Sequence, residues 1–473
     1  MSTDQIPLGL GLDMAIVGAG IAGLSTAIAL LLQDGANHRV TVLEKYANCQ
    51  PTFSGPIQIH TNGTRVLKGY GVSEAIEACL PELRSVNNIY RLSDGHLLYN
   101  LPTAVSQKNY KLPYVTDEAV SYEDNEYTLT RSRVWNINRS DLLGILLARA
   151  KELGALCRFS AGVADIDAEA ARPLLTMEDG ETISFDLVIA CDGVRSKIRT
   201  KIMGNVDVVH PLAAYSVSVD REKLKEHDDL QFFLNTSGFW MGPKQTVVGM
   251  DLRSTCNLVF CTETDDGEEG VWDKPHDVED VKRQFSNAEP RLHKLMSLAS
   301  GACFIWQFSD LAELDTWTSR NGRVVLLGDA AHAMLPFAAQ GAGSAIEDSA
   351  CLAECITRSS SISKATAAFE AIRKPRTTYI SKAGRLNMEF SHLPHGPEQE
   401  ARDAALAKMR EEEAKRAAPT PEAALTPRNL QDFEPPETAA SLYTSIARSY
   451  VSGYDIIAHT NAYLNNLYTD GDI

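Results

Sequence analysis

The 473-residue sequence predicts an α/β protein, in which a parallel-sheet layer is interleaved with a mostly antiparallel sheet and followed by C-terminal helices. Three observations carry this. The apolar run Met14-Ala-Ile-Val17 passes through a glycine-rich turn into a helical pattern at 24–32, then into a second apolar run at 39–43, which spells a βαβ unit. Between about 206 and 308 the pattern changes to alternation, as at 214–219 and 246–252, the period of a half-solvated antiparallel sheet. A buried strand returns at 323–328, with a long helix over about 343–358.

The remaining elements follow in order. Residues 141–153 place Leu142, Leu143, Leu146, Leu147 and Ala150 at helical spacing, and Phe185-Asp-Leu-Val-Ile-Ala190 reads as another buried strand. The stretch 394–436 holds seven prolines and a Lys/Glu/Ala-rich helix at 402–417, so a solvent-facing helix and a flexible excursion are expected. Apolar spacing recovers over 439–468, which predicts a terminal helix or two docking back. The domain reading is 1–205 with 309–395 as one unit, part of a second layer inserted near 60–135, a sheet domain at 206–308, and a helical extension at 396–473.

With 45 basic and 62 acidic side chains the net charge is -17, which argues against a nucleic-acid binder or a protein held on an anionic bilayer. No run reaches the ~18 apolar residues of a membrane span, and the first residues lack a signal-peptide pattern. Nine cysteines without a framework suit reduced thiols and a cytoplasmic setting. Cys351 and Cys355 read as core thiols, and no metal set is completed.

Gly18, Gly20 and Gly23 form a GxGxxG turn between a strand and a helix, with the acid Glu44 twenty-one residues beyond the last glycine. The first glycine permits the turn, the second admits a pyrophosphate, and the third lets helix and sheet close. Glu44 would accept from both hydroxyls of a ribose lacking a 2′-phosphate. A ligand-free turn is the plainer alternative, and the strand–turn–helix context favours a dinucleotide.

Two later blocks complete the set: Asp186-Leu-Val-Ile-Ala-Cys-Asp192-Gly193-Val-Arg195-Ser196-Lys-Ile-Arg199 and Gly328-Asp329-Ala-Ala-His332-Ala-Met-Leu-Pro336-Phe-Ala-Ala-Gln340-Gly341-Ala342-Gly343. In these residues the chain resembles the single-component FAD-dependent aromatic hydroxylases, the salicylate-hydroxylase-like or para-hydroxybenzoate-hydroxylase-like flavoprotein monooxygenases. Ile137-Asn-Arg139-Ser-Asp-Leu142, His392-Leu-Pro-His-Gly-Pro-Glu-Gln399 and Tyr454-Asp455 extend the likeness, the last two toward fungal members.

The resemblance implies a Rossmann-like FAD-binding domain. In it Asp329 accepts from a ribityl hydroxyl, Pro336 lies beside the flavin, and Gly341, Ala342 and Gly343 offer backbone N–H groups to its pyrimidine edge. It implies FAD contacts for Arg139 and Gly55, the latter in Ser54-Gly55-Pro56-Ile57-Gln58, where Pro56 replaces a family glycine. Arg195 and Tyr215 are candidates to orient a phenolate; alternatively Arg195 braces the NAD(P)H path and Tyr215 is a sheet residue. Where some relatives have Tyr-Arg, this chain has Tyr215-Ser216. His332 is expected to pack and hydrogen-bond rather than catalyse.

The implied reaction hydroxylates an electron-rich phenolic or salicylate-like aromatic with NAD(P)H and O2, through a C4a-hydroperoxyflavin, in a monomer or homodimer. The alternative is epoxidation of an indole or alkene in fungal secondary metabolism. A flavin-dependent halogenase would carry Trp-x-Trp-x-Ile-Pro, and none of the five tryptophans lies in such a string. A non-catalytic flavin fold would not need three intact glycine motifs. The substrate pocket is expected between the FAD layer and the 206–308 sheet, with Phe232, Phe233, Trp240 and Met241 as candidate lining.

Overall fold

Five strands assemble the first layer in the order Val324–Leu326, Leu187–Ala190, Asp13–Val17, Arg39–Leu43, Leu156–Arg158, all parallel. The computed structural model describes residues 11–33, 35, 37–49, 54–81, 86–102, 134–234, 236–263, 274–299, 301, 303–415, 435–436 and 450–469. The strands Asp13–Val17, Leu187–Ala190 and Val324–Leu326 are buried almost throughout, which explains their unbroken apolar runs. Chain order reverses between Asp13–Val17 and Leu187–Ala190, and a doubly wound sheet binds its ligand beyond the carboxyl ends of the strands at such a point.

The helices Ile21–Leu31, Arg139–Glu152 and Gly341–Arg358 pack around that sheet, in one core cluster with the long helix Ile362–Ser391 and the terminal helix Ile456–Thr469. The helix expected at 402–417 instead runs Pro397–Lys415, since a proline suits the first turn, where its missing N–H has no partner to lose.

Eight strands form the second sheet, in the order Lys274–His276, Cys303–Leu311, Val208–Asp220, Thr255–Glu263, Gln245–Asp251, Ser237–Gly242, Val86–Arg91, Leu97–Pro102. Every neighbouring pair is antiparallel except Ser237–Gly242 with Val86–Arg91. Its two faces differ. One carries Tyr215, Val217, Trp240, Val247, Leu258 and Phe260 in a closed cluster with Phe233, Phe285, Leu292 and Leu295 from the covering helices. The other carries Ala214, Val259 and Cys261, with Val248, Trp306 and Phe308 half-buried.

Candidate active site

Gly18 ends the first strand at φ +107°, a conformation closed to ordinary side chains, and a Cβ there would lie 2.4 Å from the Cys191 carbonyl oxygen. Gly23 is crowded from the other side, its Cβ falling 1.9 Å from the Gly18 carbonyl oxygen, so the helix Ile21–Leu31 rests on the turn itself. Gly20 is different. A Cβ on it meets nothing within 4 Å, so here the missing side chain keeps space open at a helix N-terminus with no acidic residue in its first turn. Unpaired N–H groups and the positive end of the helix dipole face that space, as a pyrophosphate requires.

Glu44 stands just past the Arg39–Leu43 strand. Its carboxylate accepts from the Ala19 N–H at 2.8 Å and the Tyr46 N–H at 3.0 Å, which fixes it against the glycine turn with lone pairs remaining on each oxygen. Asp329 is exposed at the start of the short helix Asp329–His332. The preceding Gly328 (φ +62°) would drive a Cβ to 2.9 Å from Ala22 Cβ, so this turn presses against the first helix and brings Asp329 beside the glycine turn. Arg199, buried in the Asp-Gly block, donates to the Val194 and Ala330 carbonyls at 2.5 and 3.0 Å and ties the two motif blocks together.

The loop that follows leads to the helix Gly341–Arg358. Pro336 is exposed, Asn387 Nδ2 donates to the Phe337 carbonyl at 2.9 Å, and Ala339 turns through φ +49° into the Gln340 cap. Gly341 has open space around its Cβ position, and Gly341 and Ala342 are half-buried. Gly343 is an approach point: a Cβ on Gly63, in the helix Thr61–Gly69, would lie 3.3 Å from its Cα. Gly55 and Arg139 also meet, with the Arg139 N–H donating to the Gly55 carbonyl at 3.0 Å and the Arg139 side chain exposed. Pro56 takes its place in the two-stranded ribbon, opposite Asn138.

Behind this loop lies a buried ionic network that sequence reasoning missed. His332 Nε2 meets Asp348 Oδ2 at 2.6 Å, Arg373 Nε donates to Asp348 Oδ1 at 2.7 Å, and Arg373 and Arg376 both bind Glu347. Asn62 Nδ2 donates to Glu347 Oε1 and to Gln340 Oε1, each at 2.8 Å. Burial alone would raise both carboxyl pKa values. Arg376 and Arg373 at Glu347, and His332 and Arg373 at Asp348, outweigh it and hold both below the usual range. The available signal was the acid pair inside a small-residue helix and two arginines one turn apart on the next.

Two expected substrate residues are not brought together. Arg195 is exposed in the turn after Leu187–Ala190, whereas Tyr215 is buried on the helix-covered face of the second sheet, its ring centroid 5.1 Å from that of His276. Burial raises the Tyr215 phenol pKa, with a Gln284 hydrogen bond opposing. Alternation puts Ala214, not Tyr215, on the half-exposed face. The same phase places Trp240 in the closed cluster with Phe233, where Trp240 Nε1 donates to Glu289 Oε1 at 2.6 Å and Phe232 packs half-buried against them. Met241 has the opposite phase, in register with Thr246 and Cys261, and is buried against Tyr99 and Leu406.

The half-exposed face is linked to the 336–338 loop by His392. Its ring packs edge-on against Phe337 at 5.4 Å, its Nδ1 is 2.9 Å from Glu263 Oε1, and its Nε2 is 3.5 Å from Thr246 Oγ1. The glycine turn, the acid at 44 and the open helix N-terminus therefore fit an extended dinucleotide such as FAD. Among the described residues no cluster suited to a metal ion occurs, and no helix is long and apolar enough to cross a membrane.

Comparison with known proteins agrees with this geometry. Residues 12–368 match the family model described as FAD binding domain. The FAD-dependent monooxygenase OpS4 of Beauveria bassiana (strain ARSEF 2860) is 31% identical over 414 residues, covering 85% of this chain and 91% of that protein. The 3-amino-4-hydroxybenzoate 2-monooxygenase of Streptomyces cremeus is 30% identical over 392 residues, covering 82% and 90%. A salicylate hydroxylase solved as a substrate complex shares the fold at TM-score 0.68 and 19% identity, over 96% of this chain and 98% of that one.

Proposed function

The chain belongs to the FAD-binding-domain family and is an FAD-dependent monooxygenase of the aromatic hydroxylase type, and from that premise we propose that it uses NAD(P)H and O2 to hydroxylate an electron-rich phenolic or salicylate-like aromatic. One observation carries the reading: an open helix N-terminus at Gly341 and a half-exposed apolar sheet face are joined through Phe337 and His392. Bound FAD supplies the redox chemistry, passing reducing equivalents from NAD(P)H to oxygen and one oxygen atom to the substrate.

The protein's residues do the rest. The Gly20 turn holds the pyrophosphate, Glu44 the adenosine ribose and Asp329 the ribityl chain. The N–H groups of Gly341, Ala342 and Gly343 oppose negative charge gathering at the ring edge, and cost no reorganisation because the helix already aims them. Val248, Trp306 and Phe308 exclude water from the reacting ring and orient it. Arg195, exposed in the turn after Leu187–Ala190, would steer the anionic coenzyme or a phenolate at the rim.

Epoxidation of an indole or alkene is the second reading, favoured by the apolar make-up of that face, where Ala214, Val248, Val259, Trp306 and Phe308 carry no charge. The test is NAD(P)H oxidation by the purified yellow protein against salicylate, phenols and indoles, with product masses. Stimulation by a phenol with a gain of one oxygen atom is expected. Oxygen gain only on indoles or alkenes would select the second reading, and a colourless protein that takes up no FAD would refute both.

A further inference from the structure

We propose that residues 450–454 and Arg376 are positioning elements for the flavin: acting through Glu347, Asn62 and Gln340, they set where the N-terminus of the helix Gly341–Arg358 stands. The inference rests on the flavin reading above.

This segment is held by its backbone. Arg376 donates to the Tyr450 and Val451 carbonyls at 2.8 and 2.9 Å, Thr61 Oγ1 donates to the Ser452 carbonyl, and Arg65 to the Tyr454 carbonyl at 2.9 Å. Four carbonyls within five residues are thus taken by side chains from elsewhere in the fold. The Arg376 guanidinium also lies over the Tyr454 ring, 3.6 Å from its centroid.

The opposite edge of the same guanidinium grips Glu347, with Nε and one terminal nitrogen at 2.8 and 2.7 Å from the two carboxylate oxygens. Asn62 connects that carboxylate to Gln340, the residue capping the helix at Gly341. Arg376, Glu347, Asn62 and Gln340 are each no more than 1% exposed. In so dry a setting the bonded atoms have no water to replace a lost partner, so a displacement at one end passes to the next group rather than into solvent. Thr61 and Asn62 are neighbours on one helix, and Gly63 beside them touches Gly343, so the segment steadies the site by a second route as well.

The test compares holoprotein carrying Thr61→Val with Arg65→Met, which frees the 452 and 454 carbonyls, removes the partly exposed Arg65–Asp455 pair and leaves the buried Arg376–Glu347 pair intact, with wild type. FAD release on dilution, visible circular dichroism of the bound flavin, and unfolding by far-ultraviolet circular dichroism are read together. FAD binding weaker by about tenfold and a diminished visible signal are expected, the lower end of the loss seen when the outer partner of a metal-binding side chain is removed. Unfolding should shift little, and Thr61→Ser, which keeps the hydroxyl, should behave as wild type. Should the double variant not fold, Asn62→Ala breaks the link to Gln340 alone and is expected to weaken FAD binding likewise. Wild-type FAD affinity and an unaltered visible spectrum in the folded variants would overturn the proposal, while wild-type protein that binds no FAD would instead overturn the flavin reading beneath it.

Discussion

A Cβ on Gly20 enters open space, whereas one on Gly23 collides with the Gly18 carbonyl. Gly20→Leu is therefore expected to keep its Tm within a few degrees and lose most of its FAD, measured as flavin absorbance per chain. Gly23→Ala should cost about 1–3 kcal/mol of stability in urea denaturation, the usual price of overpacking. His459 makes a different prediction. Burial, then the positive charges of Arg373 and Arg376, push its imidazole down to about 3. The unfolded chain takes up a proton as pH falls through about 6.5 while the folded one does not, so stability falls with pH from 6.5 toward 3. Between pH 7 and 5, Tm should fall less steeply in His459→Gln than in wild type. The contrast between the glycines was half legible: the motif names all three, but only coordinates show which one leaves room.

Periodicity identified the strands of the second sheet, and it could not supply their phase. Tyr215 and Ala214 alternate, as do Trp240 and Phe239, and either member of each pair could face the flavin layer until the covering helices Val278–Gln284 and Pro290–Ser297 are placed. The structure turns Tyr215 and Trp240 toward those helices. Trp306→Ala should accordingly raise KM for the aromatic substrate about tenfold, near 1.4 kcal/mol of lost contact, with FAD content unchanged. Tyr215→Phe should alter kcat/KM by no more than about threefold; steady-state kinetics on the two variants checks both. The βαβ unit and the Gly341 helix were readable because strand, glycines and helix follow one another in the chain. Arg373 and Arg376 were not, since two arginines one turn apart look the same on a solvated face as on a buried one. What separates them is the acid pair on another helix, and no local pattern reports that meeting.

At the scale of the whole molecule, the FAD site proposed above would draw on segments from Gly18 to Asp329 and Gly343, with the 450–469 segment packed into the same core. FAD that binds only this assembled form should stabilise it by about 2.7 kcal/mol at a hundred times its Kd, seen as a Tm that climbs with added FAD. The dispersion of the parallel sheet also governs how the protein is made. Its central strand, Asp13–Val17, leaves the ribosome first, and its edge strand Val324–Leu326 follows some 300 residues later. At synthesis rates of about 5–20 residues per second that is a wait of roughly 15–60 s. Over roughly its last 130 residues the nascent chain carries an unfinished sheet edge at Leu187–Ala190. A vitamin-derived cofactor held by both ends of this span would wait for the Val324–Leu326 strand and the Gly341 helix to emerge, and the growing chain would be most exposed to chaperones and proteases just before it turns yellow.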